Sequence, residues 1–325
     1  MSRDLLSSPH LRVQPSVRGV MLRVLGALIP GVVVFTLLFG PSVLINLLWC
    51  MAAAIATEAV LLLMRGRNWR AITDGSALLT GALLALALPP DAPWWLPVLG
   101  GFFAVSLGKQ VYGGIGFNPF NPAMVGYVVL LISFPVVMTA WPSPNLGWAT
   151  DGVTQATALD HVRTELTQGR TLTEVYQDPG FAGLSQRGWL WLSLAYLAGG
   201  LFLLQQRTIR WQIPVGVLLG ITLMSVVFWG IDSDRYASPL FHWTTGATML
   251  GAFFIATDPV SASTTPRGRL LFGLGVGALT WIIRTWGGYP DGFAFAVLLM
   301  NIMAPTIDRY TPTRVYGTQR RPERP

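Results

Sequence analysis

The chain is poor in charge, in sulfur and in histidine. Only 11% of its 325 residues are charged while 52% are hydrophobic, far from the roughly 25% charge of a soluble domain. Its one cysteine, Cys50, lies inside an apolar run, which excludes an intrachain disulfide and a thiolate-bound metal or cluster. The three histidines, His10, His161 and His242, are far apart in sequence and offer no metal-ligand spacing. No metal is therefore expected. No cleavable signal opens the chain either: Leu5-Leu6 precede a polar, basic stretch, so the first span is expected to direct insertion itself. The net charge of +7 has to be read as a distribution across a membrane, and nucleic acid is not an expected partner.

What the chain has in abundance is apolar sequence, in runs approaching the ~20 residues that cross a bilayer as helix. Ten spans are read, at about 24–40, 43–64, 75–89, 94–112, 123–141, 188–205, 211–230, 246–257, 269–286 and 291–307. Two of them, 75–89 and 246–257, are short and broken at Pro89-Pro90 and Asp258-Pro259. Short spans ended by proline are usually half-helices whose irregular ends are buried in protein or face a cavity. With the N-terminus in the cytoplasm, only Arg163, Arg170, Arg187, Arg235 and Arg284 of the 22 Lys+Arg residues fall outside. That bias is what the positive-inside rule requires, and a missed or surplus span would scramble it.

An internal repeat organises these spans. Asp74-Gly75-Ser76-Ala77-Leu78-Leu79-Thr80-Gly81 resembles Thr245-Gly246-Ala247-Thr248-Met249-Leu250-Gly251-Ala252. Each copy is followed by a proline break, an apolar span and a glycine pair, Gly113-Gly114 or Gly287-Gly288. Matching elements are five spans apart, an odd number, so the halves are inverted, an arrangement that places sites at the repeat interface near the midplane. The expected fold is thus an all-α integral membrane protein of about ten transmembrane helices, in two inverted five-helix repeats with broken half-helices. Its parts are 1–141, an N-terminal segment with the first repeat; 142–187, an outward-facing connector whose centre, 156–176, has room for a short surface helix; 188–308, the second repeat; and 309–325, a basic cytoplasmic tail. Gly216-x-x-x-Gly220 and Gly273-x-Gly275-x-Gly277 are small faces for close helix packing. They are not a dinucleotide fingerprint, because no strand–helix unit surrounds them.

Thr244-Thr245-Gly246-Ala247-Thr248-Met249 offers an accessible hydroxyl at a membrane boundary, preceded by nearly bare backbone. Taken alone, it is most simply a helix start with Thr245 as N-cap and Gly246 at the first helical position. The surroundings are more specific. The run from Thr245 through Phe253-Phe254-Ile255-Ala256-Thr257-Asp258-Pro259-Val260-Ser261-Ala262-Ser263-Thr264-Thr265-Pro266-Arg267-Gly268 resembles the D subunits of Rnf ion-translocating electron-transport complexes. So do Arg284-Thr285-Trp286-Gly287-Gly288-Tyr289-Pro290-Asp291-Gly292, Gly114-Ile115-Gly116-Phe117-Asn118-Pro119 and Arg314-Val315-Tyr316-Gly317. The B subunits of sodium-translocating NADH:quinone reductases are a more distant likeness.

The resemblance implies FMN bound covalently to Thr248 through a phosphoester, installed by a separate flavin transferase, with Thr245, Gly246 and Ala247 completing the attachment motif. That motif commonly starts with Ser or Asp where this chain has Thr245. The resemblance further implies iron–sulfur and flavin partner subunits, electron transfer between ferredoxin and NAD coupled to movement of Na+ or H+, and a bacterial inner membrane. It leaves room for a second, non-covalent flavin. The charge-derived topology puts both termini in the cytoplasm and Thr248 near the periplasmic face, where a transferase outside the cytoplasm can reach it.

Other polar positions carry weaker expectations. Arg284, one of the few outside cations, is a candidate partner for the flavin phosphate, its rival role being interfacial anchoring. Trp243, Trp281, Trp286 and Tyr289 are candidates for stacking on the flavin ring, or members of an aromatic belt. Glu58 and Asp258 are candidates for a cation path. Against them stand a pairing of Glu58 near Arg65 and an ordinary polar turn at Asp258. Without the resemblance, paired broken helices fit a non-redox channel or transporter equally well.

Overall fold

The structure, a computed structural model, describes residues 16–142, 144, 154–155, 157–177, 184–289 and 291–313. The basic N-terminus with His10, most of the 309–325 tail and Pro290 lie outside the described residues. The chain is an all-α membrane protein. Its only described strands are two-residue segments in the connector, where Trp141 pairs with Gln155 and Pro142 with Thr154.

The first half carries α1 (Val17–Phe39), α2 (Ser42–Met64), α3 (Ser76–Ala85), α4 (Trp95–Ser106), α5 (Pro122–Ser133) and α6 (Pro135–Thr139). In the connector lie α7 (Ala158–Thr167) and α8 (Leu172–Gln177), two short helices where the sequence suggested one. The second half carries α9 (Leu184–Gln205), α10 (Gln212–Ile231), α11 (Pro239–Thr244), α12 (Thr248–Leu250), α13 (Pro266–Trp286) and α14 (Phe293–Tyr310). Among the described residues, four stretches, Val17–Phe39, Ser42–Met64, Arg187–Gln205 and Gln212–Ile231, are long and apolar enough to cross a membrane. Large apolar side chains stay exposed on them, Leu48 at 65% and Leu223 at 59% among others, as a hydrocarbon solvent allows and water does not.

Both broken segments are short. α3 begins after Gly75 at φ 79° and runs ten residues. α12 is three residues long and continues as a π-helical turn, Gly251–Ile255. Breaks leave backbone groups without helical partners, and in a bilayer protein side chains must satisfy them. Asn46 on α2 does this at the first break, donating to the carbonyls of Pro89 and Pro90 at 3.0 and 2.8 Å. At the second, Asn121 donates to Ile255 O at 3.1 Å, and Asn301 to Ser261 O at 3.1 Å. Asn301 Oδ1 also accepts from Asn121 N at 3.0 Å, joining the two halves near the middle of the bundle.

Glycine faces draw the helices together, as the sequence spacing predicts. A Cβ on Gly216 would come 2.7 Å from Leu270 O, and one on Gly273 2.5 Å from Ile213 O, so α10 and α13 touch backbone to backbone. Gly81 of α3 and Gly101 of α4 both approach Cys50 O of α2, and a Cβ on either would come 2.8 Å from it.

Candidate functional site

The hydroxyl of Thr248 sits at a backbone reversal. Thr245 is extended and closes α11, its N–H bonding Phe241 O at 3.0 Å. Gly246 then takes φ 64°, a left-handed conformation that only glycine adopts cheaply. Space demands glycine as well: a Cβ there would lie 2.5 Å from Leu159 Cδ1, 2.6 Å from Asp291 Oδ2 and 2.8 Å from Arg284 Nη2. The reversal corrects the expected cap. Thr245 Oγ1 turns back to donate to Phe241 O at 2.5 Å, and Ala247 takes the N-cap position of α12 without a side-chain cap bond. Thr245 thus ends one helix instead of starting the next.

Thr248 is fully buried. Its hydroxyl donates to His242 O at 2.6 Å and accepts from Arg284 Nη1 at 2.9 Å. Arg284 arrives from the last turn of α13 and is 5% exposed. Its Nη1 also donates to His242 O at 3.1 Å, while Nε and Nη2 grip Asp291 at 3.1–3.2 Å. A buried guanidinium needs such a carboxylate, since breaking a buried pair costs about 3–5 kcal/mol. Asp291 does more than neutralise it. Asp291 Oδ2 accepts from Ala247 N at 2.7 Å and Oδ1 from Phe293 N at 3.0 Å, so one side chain fixes the arginine, the glycine turn and the start of α14. Beside this group lies a cavity of about 90 Å³ lined by Gly246, Ala247, Leu250, Asp291 and Phe293, with Leu159 of α7 on its wall.

The four aromatic residues suggested by the sequence for flavin stacking lie elsewhere. Trp281 is stacked on Phe228 at 4.6 Å and meets Trp286 edge-on at 5.2 Å. Trp243 Nε1 donates to Thr222 Oγ1 at 3.1 Å, and Tyr289 stacks on Phe295 at 4.6 Å. None of these four lines the cavity beside Ala247, whose aromatic walls include Phe35, Trp189 and Tyr196.

The first half repeats the pattern. Gly75 is left-handed at φ 79°, and the neighbouring Ser76 hydroxyl accepts from Lys109 Nζ at 2.5 Å. Lys109 in turn pairs with Glu58 at 2.5 Å, both side chains only 3% exposed. Glu58 Oε1 also accepts from Gln110 Nε2 at 2.8 Å. The pairing of Glu58 with Arg65 considered from the sequence is not formed: Arg65 Nη1 donates to Gln110 O, and Lys109, fifty-one positions away, takes the carboxylate. Each half therefore holds a hydroxyl, a buried cation and a carboxylate around a left-handed glycine. Asp258 is not joined to Glu58. Its Oδ2 accepts from Ser261 Oγ at 2.7 Å, and it lines a cavity of about 460 Å³ shared with Ser76, Lys109, Asn118 and Asn121.

Of the residues singled out in the sequence, Thr245, Gly246, Ala247, Thr248 and Arg284 come together, whereas Glu58 and Asp258 lie apart from them and from each other. Sequence reasoning passed over Asp291 as a site residue. Its signal was its place as the one carboxylate in the polar break that follows Arg284.

The family described as NQR2, RnfD, RnfE matches residues 5–317. Among similar proteins is the D subunit of the ion-translocating oxidoreductase complex of Pseudomonas aeruginosa (strain LESB58), 53% identical over 328 residues, 96% of this chain and 95% of that one. The protein of the same name from Yersinia enterocolitica is 50% identical over 348 residues, 98% and 99% of the two chains. That of Vibrio cholerae is 46% identical over 347 residues, 98% and 100%.

Proposed function

The chain belongs to the NQR2, RnfD, RnfE family, and from that premise we propose that it is the membrane flavoprotein subunit of an Rnf-type complex, relaying electrons through FMN held covalently at Thr248. It is a subunit of an ion-translocating oxidoreductase and not catalytic alone. The complex couples electron transfer between ferredoxin and NAD to translocation of Na+ or H+ across the bacterial inner membrane, together with iron–sulfur and flavin subunits. A separate flavin transferase loads Thr248.

The observation that carries this reading is the buried arginine bonded to the Thr248 hydroxyl. An ester there replaces the hydroxyl proton, gives up the bond to His242 O and presents anionic oxygens to a planar guanidinium, whose fork suits phosphate geometry. Arg284 holds the phosphate, Asp291 holds Arg284, and the bare backbone of Gly246 and Ala247 leaves room for the chain leading away from it. When bound, FMN supplies one-electron redox chemistry. The protein governs its potential through nearby charge and burial. The inner cavity beside Lys109 and Asp258 is the place for a second, non-covalent flavin, its volume within the range of ligand pockets. Glu58 and Asp258, flanking that cavity from Lys109 and from the second break, remain the candidates for an ion path.

The same reading takes the bundle as ten spans in two inverted five-helix repeats, 1–141 and 188–308, joined by the periplasmic connector 142–187 and followed by the cytoplasmic tail 309–325. The matched left-handed glycines and hydroxyl–cation–carboxylate groups support it. Both termini are cytoplasmic and Thr248 faces the periplasmic side.

Denatured protein co-expressed with its transferase is expected to give a yellow fluorescent band on a gel, lost in Thr248→Ala. A colourless wild-type band defeats the redox reading and leaves the non-redox channel or transporter in its place.

A further inference from the structure

Five arginines gather at the end of the bundle that the charge bias assigns to the cytoplasm, and the packing of three helices brings them there. Gly216 of α10 meets Leu270 O of α13, and Gly220, one turn on, meets Leu274 O. Both contacts advance in the same direction, so α10 and α13 run parallel and begin side by side. Arg207 and Arg210 stand just before α10, while Arg267 and Arg269 lie in the first turn of α13. Asp308 of α14 accepts from Thr264 N at 2.9 Å and from Thr264 Oγ1 at 2.7 Å. That contact fastens the end of α14, and with it Arg309, to the start of α13.

This charge is poorly neutralised. Arg210 and Arg269 are near enough for their charges to act on each other. Among the described residues no carboxylate forms an ion pair with any of the five. Asp308 acts on Arg269 from a distance, but its oxygens already accept from Ser263, Thr264 and Thr265. Arg207 is the one described non-glycine residue at positive φ, 54°; a conformation that favours glycine after a helix carries a cation here. Orientation in the membrane needs basic residues near one face, but it does not need them drawn together from three helices.

Apolar and aromatic groups adjoin the arginines. Trp211 at the N-cap of α10 is 56% exposed, and Tyr310 at the end of α14 is 78% exposed. Both are residue types that settle at headgroup level. Farther along α10, Val215, Leu219 and Leu223 are exposed at four-residue steps and so form one file along the helix.

We propose that this end of the α10–α13 seam binds one anionic phospholipid, its phosphate between Arg210 and Arg269 and its acyl chains along the Val215–Leu223 file. Guanidinium forks suit phosphate geometry, and basic pockets between membrane helices take such headgroups. A soluble phosphate would use the arginines alone and leave the aromatic pair and the apolar file without a role. The bound lipid relieves the repulsion between α10 and α13 at their shared end.

The test titrates full-length protein in detergent with dioleoyl phosphatidylglycerol or dioleoyl phosphatidylcholine and counts bound lipid by native mass spectrometry. One phosphatidylglycerol is expected to bind roughly tenfold more tightly than phosphatidylcholine, and excess inorganic phosphate is expected not to displace it. Each arginine facing an anionic headgroup is worth about fivefold in affinity. Arg210→Gln with Arg269→Gln is therefore expected to weaken phosphatidylglycerol roughly thirtyfold, and Arg210→Lys with Arg269→Lys to recover most of that loss. Arg18→Gln with Arg23→Gln removes the same charge from exposed positions on α1 and is expected to leave binding at the wild-type level. Unchanged binding in the Arg210/Arg269 glutamine pair overturns the proposal, as does an equal loss in the Arg18/Arg23 pair. Displacement of the lipid by inorganic phosphate shows a free-anion site and overturns the lipid assignment.

Discussion

A single methyl group on Gly246 probes the whole outer site. In Gly246→Ala the residue keeps φ 64°, which costs an L-residue roughly 1–2 kcal/mol. The new carbon then meets three side chains, at 2.5 Å from Leu159 Cδ1, 2.6 Å from Asp291 Oδ2 and 2.8 Å from Arg284 Nη2. Leu159 is the flexible end of a side chain on a short connector helix and can give way. Asp291 and Arg284 cannot move singly, because they are bonded to each other and to Ala247 N, Phe293 N and His242 O. Overpacking against such a group costs about 1–3 kcal/mol, so the total expected loss is about 2–5 kcal/mol. The control is Gly26→Ala in α1, where a Cβ meets nothing within 4 Å and a helix interior gains about 0.5–1 kcal/mol from losing glycine. Denaturant titration of the purified protein in detergent measures stability, and gel fluorescence measures flavin loading. If Gly246→Ala matches Gly26→Ala in both assays, the glycine turn does not position the arginine, and the argument built on it fails.

Four further outcomes are expected. Lys109→Ala leaves Glu58 buried without its cation and is expected to lower stability by about 3–5 kcal/mol, while Lys109→Met with Glu58→Gln recovers much of the loss; equal denaturation midpoints for the single and double variants refute the pairing. Gly277→Leu is expected to separate α10 from α13 and abolish stable accumulation in the membrane, since Gly277 packs on the backbone of Gly220 and Ile221; wild-type levels on a blot of membranes contradict the close packing. Cysteines at Arg163 and Tyr289, whose native contact ties α7 to the loop after α13, are expected to block flavin loading when joined by a reducible bifunctional cross-linker and to permit it after reduction; equal loading in both states refutes a role for α7 in access. Glu174 caps α8 by accepting from Thr171 N at 2.9 Å, and that bond, with the Thr171 hydroxyl, holds its carboxyl below the ordinary glutamate range. A lowered folded pKa means that the cap stabilises at pH above the unfolded value and is lost as pH falls through the folded one; amide exchange in α8 is expected to quicken with acid in the wild type and to be pH-flat, after correction for intrinsic exchange, in Glu174→Gln.

Much of the bundle was legible because its signals are local. Glycine spacing in α10 and α13, the proline-marked ends of the short segments and the apolar lengths are all properties of single stretches of chain. The Thr248 group was legible only in part. Thr245 to Thr248 are consecutive and Arg284 stood out as a rare outside cation, but Asp291 acts through a fold that brings the 246–248 turn beside the start of α14. Glu58 misled for the same reason. Arg65 is seven residues away on the same helix end, whereas Lys109 reaches Glu58 only once α4 has folded back along α2. The cap at Thr245 failed for a different cause. N-cap chemistry is a matter of residue type, and the conformation of the following glycine decides toward which helix the hydroxyl points.

The hydrogen bond from Asn121 N to Asn301 Oδ1 has a temporal consequence. Its partners are 180 residues apart, and at roughly 5–20 residues per second of synthesis the first waits on the order of 10–40 s for the second. Throughout that interval the backbone N–H of Asn121, and later the carbonyl of Ser261, lack their final partner, which for both is the Asn301 side chain. The growing chain must therefore be shielded from lipid by the insertion machinery, or by water held between half-formed helices, until α14 arrives. Truncation before Asn301 is then expected to leave a translation product that inserts yet never locks, and membrane quality control would recognise it by that open seam.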